Sequence, residues 1–313
     1  MRKWLLLFTL AASTMLHAES RWHLQSNAWV NLHQRLMYEA RFGPVPPPAG
    51  VAADRWNALV DRYRTFLGKR HPIFDKELID MNAALSATRG DKLPASIPPA
   101  AAAVLDAAMP LYRAAQWTAD DRANRFWISY AEPLLASAGE ELVIAHEKAY
   151  GRTFPKRIDV DVASFGWQFG AYTVGTPEHA QTVIQSVDNP GGEGFYALES
   201  LLHEPSHVIV DDDPGSAIGE DLARVTRETG IRPYANLWHA ILFYTSGELT
   251  RRALAERGVL DYKPIITLMY DRQFRGMKQS LETHWQAYLD GKESRAAAIR
   301  QIVIETAPPP KKK

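Results

Sequence analysis

Two histidines that stand four residues apart are the part of this sequence whose spacing most clearly suggests chemistry. They are His203 and His207, in the segment ESLLHEPSH of residues 199–207. Positions i and i+4 of a helix lie on one face, about 6 Å apart, so both imidazoles can reach one metal ion. Glu204 projects to the side of that pair, where its carboxylate can take a proton from metal-bound water. The spacing therefore predicts a metal site with an adjacent general base.

Two further residues of this segment affect the predicted site. Glu199 precedes His203 by one helical turn, and a carboxylate there can accept the second ring N–H of a metal-bound histidine. Pro205 lies inside the motif, where it removes one helical hydrogen bond and tends to kink the helix. A kink changes the separation of the histidines only modestly, but it leaves an inactive or remodelled site open. The alternative for the whole segment is a helix with two surface histidines.

A third metal ligand is expected on a later helical segment, residues 234–254. A catalytic zinc has three protein ligands and an open position for water. The centre of this segment is apolar nearly all round, which predicts a buried helix whose ionisable groups need partners. His239 and Glu248 are the two candidates. Because they are nine residues apart, they lie on opposite sides of the helix, and only one of them can reach the ion.

The motif of residues 203–207 resembles the H-E-x-x-H sequence of the zincin-type metallopeptidases. The resemblance covers residues 155–255 at most, and only the motif is specific. It implies a zinc ion, hydrolysis of peptide bonds and a small sheet before the active-site helix, whose edge strand binds an extended substrate. The continuation of the metzincin branch, with a glycine and a third histidine, is absent after His207.

In the gluzincin branch of this family the third ligand is a glutamate on a later helix. Gly247-Glu248 resembles that arrangement, and the glycine would let the two helices approach closely. The resemblance therefore favours Glu248 over His239 as the ligand. Tyr244, one turn before Glu248, and His239 are then the candidate donors of a hydrogen bond to the developing oxyanion. The aspartate that often follows the family's glutamate is replaced here by two arginines.

The region ahead of the motif shows the periodicity of β-strands. In residues 157–163 apolar side chains alternate with aspartates, which is the pattern of a half-buried strand. A second strand is expected at residues 179–187, in the position of the substrate-binding edge strand of the zincins. His179 beside that strand is a candidate substrate-binding residue, and the alternative is a solvated loop histidine.

Helical patterns dominate the rest of the sequence. A first helix is expected over residues 19–42, before the proline-rich break of residues 43–48. We predict an α+β, mostly α-helical fold with a helical N-terminal layer in residues 19–150. A zincin-like metal-binding catalytic region, with a small β-sheet and an active-site helix, follows in residues 151–307. Residues 308–313 are expected to form a disordered tail.

Residues 1–18 have the order of a secretory signal peptide. Arg2 and Lys3 precede an apolar run, and small residues lead to Ala18. An uncleaved anchor helix is the alternative, but the apolar stretch is short for spanning a bilayer. The chain contains no cysteine, which excludes disulfides and thiolate metal ligands. These features predict a periplasmic or secreted bacterial protein without a stable membrane span once the signal is cleaved.

The charge balance excludes one class of partner. Lysine plus arginine and aspartate plus glutamate each number 36, so no overall charge favours nucleic acid. The expected function is that of an exported zinc-dependent metallohydrolase that acts on a peptide or protein substrate, with Glu204 as the general base. One alternative is a catalytically inactive exported protein that keeps the zincin fold for binding or scaffolding. Another is a zinc hydrolase of a non-peptide amide.

Overall fold

The computed structural model describes residues 20–307. The signal peptide predicted for residues 1–18 and the tail predicted for residues 308–313 lie outside the described residues. The fold is α+β and mostly helical, with one small sheet, as the sequence predicted. None of the helices in the described part of the chain combines the length and the apolar character needed to cross a bilayer.

Helices and strands are distributed unevenly along the chain. The strands are β1 (Trp22–Ser26), β2 (Arg157–Ala163), β3 (Ala171–Gly175) and β4 (His179–Gln185). The α-helices are α1 (Ala28–Phe42), α2 (Ala53–Leu67), α3 (Lys76–Ala87), α4 (Pro99–Tyr112), α5 (Thr118–Tyr150), α6 (Tyr196–Ser206), α7 (Ala217–Thr229), α8 (Leu237–Glu256), α9 (Lys278–Ser280), α10 (Gln286–Leu289) and α11 (Arg295–Thr306). A π-helical turn, Arg113–Trp117, joins α4 to α5, and a second one, Leu281–Trp285, joins α9 to α10.

The four strands form one mixed sheet in the order β1-β2-β4-β3. β1, β2 and β4 are parallel, whereas β3 pairs antiparallel with β4, so β3 and β1 are the two edges. β2 occupies the predicted range, and β4 lies within the second predicted strand. The prediction of one helix over residues 19–42 was wrong for its first part. Residues 22–26 form β1, which pairs with β2 more than a hundred residues later in the chain, and the helix α1 begins only at Ala28.

Helical layers cover both faces of the sheet. On one face, side chains of β2 and β4 such as Val160 and Ile184 pack in one hydrophobic cluster with α5, α6 and α8. On the other face, Tyr172 and Val183 pack in a second cluster with α1, α2, α3 and α4. β1 and α5 come from the predicted helical region of residues 19–150, yet they contribute to the sheet and to the layer that contains the motif helix.

One carboxyl group is buried within the sheet, on the face that meets α3. Asp161 of β2 is fully buried, and it accepts hydrogen bonds from Gln25 Nε2 at 2.8 Å and Gln181 Nε2 at 3.0 Å. Burial raises the pKa of Asp161 to about 6, although the hydrogen bonds oppose this shift. The folded state therefore binds the Asp161 proton more tightly than the unfolded state does.

This shift makes a prediction about stability and pH. The stabilising contribution of the Asp161 proton is complete below the ordinary pKa of 3.8 and is lost as the pH rises through about 6. Asp161→Asn removes this titration, so the variant should gain stability relative to wild type, by up to about 3 kcal/mol, between acidic and neutral pH. Urea unfolding at an acidic and at a neutral pH measures the difference in the free energy of unfolding between the variant and the wild type, with exposed Asp54→Asn as the control. A difference independent of pH would contradict the prediction.

Candidate metal centre

The motif histidines lie at the C-terminal end of α6. Apolar side chains of α6, among them Leu198 and Leu201, are fully buried and fix the helix against the sheet. Because Pro205 lacks an N–H, it cannot continue the regular hydrogen bonding of the helix, and the backbone N–H of His207 donates to the Glu204 carbonyl at 3.1 Å. The Nε2 atoms of His203 and His207 are nevertheless 3.2 Å apart. The turn that ends α6 is therefore tight, and Pro205 within it does not separate the two histidines.

The third residue of the cluster is His239, in the first turn of α8. One ring nitrogen from each of His203, His207 and His239 lies within 4.8 Å of the other two. Ligand nitrogens about 2.1 Å from one tetrahedral zinc ion stand about 3.4 Å apart, so small side-chain adjustments would bring all three to bonding distance. The cluster can therefore hold a metal ion.

Glu248 lies away from the histidine cluster. Its carboxylate accepts hydrogen bonds from Arg251 at 2.7 and 2.8 Å and from Arg252 at 2.8 Å. Burial alone would raise the pKa of Glu248, but these hydrogen bonds and positive charges lower it. The geometry thus favours His239 over Glu248 as the third ligand, which reverses the preference drawn from the gluzincin resemblance. The physical reason is that Arg251 and Arg252, which stand where the family often has an aspartate, already bind the Glu248 carboxylate.

Two other predicted site residues also have partners outside the cluster. The Tyr244 hydroxyl, on the Glu248 side of α8, donates to Gln286 Oε1 at 2.7 Å. This contact does not support the predicted role of Tyr244 as an oxyanion donor. His179 begins β4, where its half-exposed side chain makes a 2.8 Å contact with Asp159 Oδ2. His179 is thus exposed but lies at the start of a strand and not in a loop, and its role in substrate binding stays a prediction.

The three clustered histidines are neutral near pH 7. Burial, reinforced by the positive charge that neighbouring imidazoles would carry, lowers the pKa of His207 to about 3. Burial alone lowers the pKa of His239 to about 4, and the pKa of His203 lies well below its ordinary value for both reasons. Because metal ions bind the neutral imidazole, this environment keeps the ligands in the form that coordination requires.

An unpartnered ring nitrogen within the cluster supports the same reading. His239 Nε2 is buried and has no hydrogen-bond partner among the described residues. His203 Nδ1 is also buried without a partner, but it is not the ring nitrogen that approaches His207, so it does not bear on metal binding. Buried polar atoms nearly always have a partner, and a metal ion is one that would satisfy a ring nitrogen. The chemistry of the donor set, three nitrogens and no oxygen or sulfur, is compatible with zinc.

Glu199 has a different role from the predicted one. The Ile265 backbone N–H donates to the two carboxylate oxygens of Glu199 at 3.1 and 3.2 Å, and the Tyr262 hydroxyl donates to Oε2, whereas His203 makes no hydrogen bond to it. Burial raises the pKa of Glu199 to about 8, against the effect of these hydrogen bonds. A Cβ on Gly247 would lie 3.1 Å from Glu199 Oε1 and closer still to Pro264. Glu199 thus joins α6 to α8 and to the segment that follows α8.

Glu204 lies between the cluster and the sheet. Only 9% of its surface is exposed, and its Oε2 accepts a hydrogen bond from Thr173 Oγ1 at 3.3 Å. Burial raises the pKa of Glu204 to about 8, and the Thr173 hydrogen bond partly offsets the shift. Thr173 is the central residue of β3, so the edge strand beside the motif is β3 and not the strand predicted at residues 179–187.

Two aromatic residues form an apolar wall beside the histidines, which we call the aromatic wall. The Phe243 ring centroid lies 3.9 Å from that of His203, and the Trp238 ring stacks on His239 at 4.9 Å. Both side chains are partly exposed. These two residues could not be recognised from the sequence, since aromatic residues on an apolar helix more often belong to the core. Thr173 could have been found, because Ala171–Gly175 has the β-branched and aromatic residues of a strand.

Comparison of the chain with models of protein families, with curated proteins and with solved structures found no match.

The choice between the two candidate third ligands gives a direct prediction. The purified protein should bind about one divalent metal ion per chain, His239→Ala should lose it, and Glu248→Gln should retain it. Elemental mass spectrometry after metal loading and desalting measures the content, and the rise in the unfolding midpoint with added metal gives a second readout. Retention by His239→Ala together with loss by Glu248→Gln would restore the ligand set implied by the gluzincin resemblance.

Proposed function

We propose that this chain is an exported zinc-dependent hydrolase that cleaves peptide bonds. Zinc is held by His203, His207 and His239, and Glu204 is the general base. The observation that carries the proposal is the convergence of three neutral imidazoles beside a buried carboxylate. Three histidines and one open position are a ligand set that catalytic zinc uses in proteins.

The chemistry divides between the metal and the carboxylate. A bound zinc ion supplies Lewis acidity, which polarises a carbonyl and lowers the pKa of water. The positive charge of zinc would lower the pKa of Glu204, which burial raises to about 8. Its carboxylate would then take a proton from the attacking water and pass it to the leaving amine. The hydrogen bond from Thr173 Oγ1 keeps the carboxylate oriented beside the cluster. Since His239 is taken as a ligand, its alternative role as an oxyanion donor is given up.

The free edge of β3 supports a peptide as the substrate. In the described part of the chain β3 pairs with β4 alone, so its other side offers backbone N–H and C=O groups to an extended chain. Thr173 places Glu204 next to that edge. The backbone amides of a substrate that pairs with β3 would thus lie close to Glu204 and the histidines.

Export rests on residues 1–18, whose charged, apolar and small-residue order is that of a signal peptide. The proposed location is the bacterial periplasm or the medium. The metal ligands are histidines only, which suits an oxidising compartment because no thiolate is exposed to oxidation.

The aromatic wall favours a second candidate function, hydrolysis of a non-peptide amide. Trp238 and Phe243 are partly exposed beside the histidines, and aromatic faces can hold an apolar acyl group as well as a peptide side chain. The same residues would carry the chemistry. Peptide and acyl-amide substrates tested side by side distinguish the two.

Replacement of the base tests the mechanism. Glu204→Gln should retain the bound zinc but lower kcat/KM by about 10²- to 10⁴-fold, since it removes proton transfer and leaves the ligands in place. Mass spectrometry of a digested peptide pool measures activity, and Glu256→Gln, at an exposed position at the end of α8, serves as the control that keeps it. Stoichiometric zinc in wild type without hydrolysis of any amide would instead indicate an inactive binding protein.

Thr173→Val tests the orientation of the base by removing one hydroxyl at nearly constant volume. The loss of a hydrogen bond worth about 1 kcal/mol should lower kcat about fivefold without change in zinc content. Thr250→Val is the control, because Thr250 is also fully buried and its hydroxyl has no hydrogen-bond partner among the described residues. Equal effects of both variants would show that loss of a buried hydroxyl, and not of the contact with Glu204, determines the rate.

A further inference from the structure

The second edge of the sheet, β1, carries unpaired backbone groups. Within the described residues β1 pairs with β2 alone. The Ile158 N–H donates to the Arg21 carbonyl at 2.7 Å, which fixes the side of β1 that faces β2. In a parallel pair alternate residues face the partner strand, so the backbone groups of Trp22, Leu24 and Ser26 point outward. Of these groups, the Trp22 N–H donates to Ser20 Oγ at 3.2 Å.

A groove follows this outer edge along the whole strand. Two clefts, of about 670 Å³ and 610 Å³, meet there and share Leu24, Gln25, Arg89 and Glu132. One wall is α5, and the other is the loop that follows α3. A continuous groove over a free strand edge has the dimensions needed for an extended chain and is larger than a single small anion needs.

Three arginines line the larger cleft. They are Arg89, Arg113 and Arg125, and the carboxylate of Glu132 lies in the same lining. Arg113 pairs with Asp91 at 2.6 Å and Arg125 with an aspartate one turn earlier on α5 at 2.7 Å, whereas Arg89 has no carboxylate partner among the described residues. Exposed pairs of this kind contribute at most about 1 kcal/mol. An incoming carboxylate can therefore exchange with them.

The helical segment beside this cleft is irregular. Arg113 and Trp117, the two ends of the π-helical turn between α4 and α5, both line the cleft. π-Helical turns cost hydrogen-bond geometry and occur frequently at functional sites. β1 itself lacks the lysine or proline that commonly protects a sheet edge from pairing. The groove thus has features that favour the addition of a strand.

We propose that the β1 groove binds an extended segment of another protein that carries acidic side chains. The segment pairs with the outward backbone groups of β1, and its carboxylates meet Arg89, Arg113 and Arg125. β1 and β3 are opposite edges of a four-stranded sheet, about 14 Å apart, so this site is separate from the metal centre. The proposal does not depend on hydrolysis.

The test uses the full chain and a labelled peptide of alternating glutamate and valine residues, with a lysine–valine peptide of equal length for comparison. Fluorescence anisotropy should show binding of the acidic peptide only, weakened by added salt. The double variant Arg89→Ala, Arg113→Ala should weaken binding by about tenfold or more. Arg62→Ala, an exposed arginine of α2, should leave it unchanged. Absence of binding, or equal binding of the lysine peptide, would overturn the proposal.

N-methylated peptides test the strand pairing. An acidic peptide methylated on alternate amides can still present one hydrogen-bonding edge, whereas a fully methylated one cannot. We expect the first to bind and the second not to bind. Equal binding of both peptides would mean that the arginines bind carboxylates without strand addition. Displacement of the peptide by citrate, added so that citrate and peptide supply equal concentrations of carboxylate groups, would mean the same. Unchanged zinc content and unfolding midpoint in the arginine variants exclude a folding defect.

Discussion

The close antiparallel contact of α6 with α8 is the constraint on which the metal centre depends. Glu199, one turn before His203, lies against Gly247, and His203 lies against Phe243 and His239 farther toward the start of α8. Any side chain at Gly247 would collide with Pro264 and press on Glu199, which would move the helices apart. The third histidine would then leave the other two, because its position is fixed only by the course of α8.

This contact also explains why the ionisable groups of the region remain uncharged or paired. Burial lowers the pKa of the three histidines and raises those of Glu199 and Glu204. Charged forms would require partners that the apolar cluster of α5, α6 and α8 does not supply. Glu248, on the other side of α8, has two arginine partners and is the exception. The two faces of α8 therefore differ sharply in their electrostatics.

Local parts of this arrangement could be predicted from the sequence, and non-local parts could not. The spacing of His203 and His207 and the alternation of side chains in β2 follow from helix and strand periodicity. The paired histidines and the strand could therefore be predicted from the sequence. The choice of His239 over Glu248 depends on which face of α8 meets α6, which periodicity does not specify. β1 is stabilised by pairing with β2, far along the chain, and its five residues lack a distinctive pattern. β3 was not predicted, because glycine and aromatic residues around it obscure the alternation of a strand.

The β3–β4 hairpin then determines which residue reaches the base. Gly175 has φ +133°, and a Cβ there would collide with the His179 carbonyl, so only glycine permits this tight connection. The connection sets the register in which Thr173 lies opposite Thr182. A slip of one residue would turn the Thr173 hydroxyl to the other face and bring Tyr172 toward Glu204. The orientation of the proposed base therefore depends on a glycine turn outside the motif, and sequence spacing around the histidines carries no trace of it.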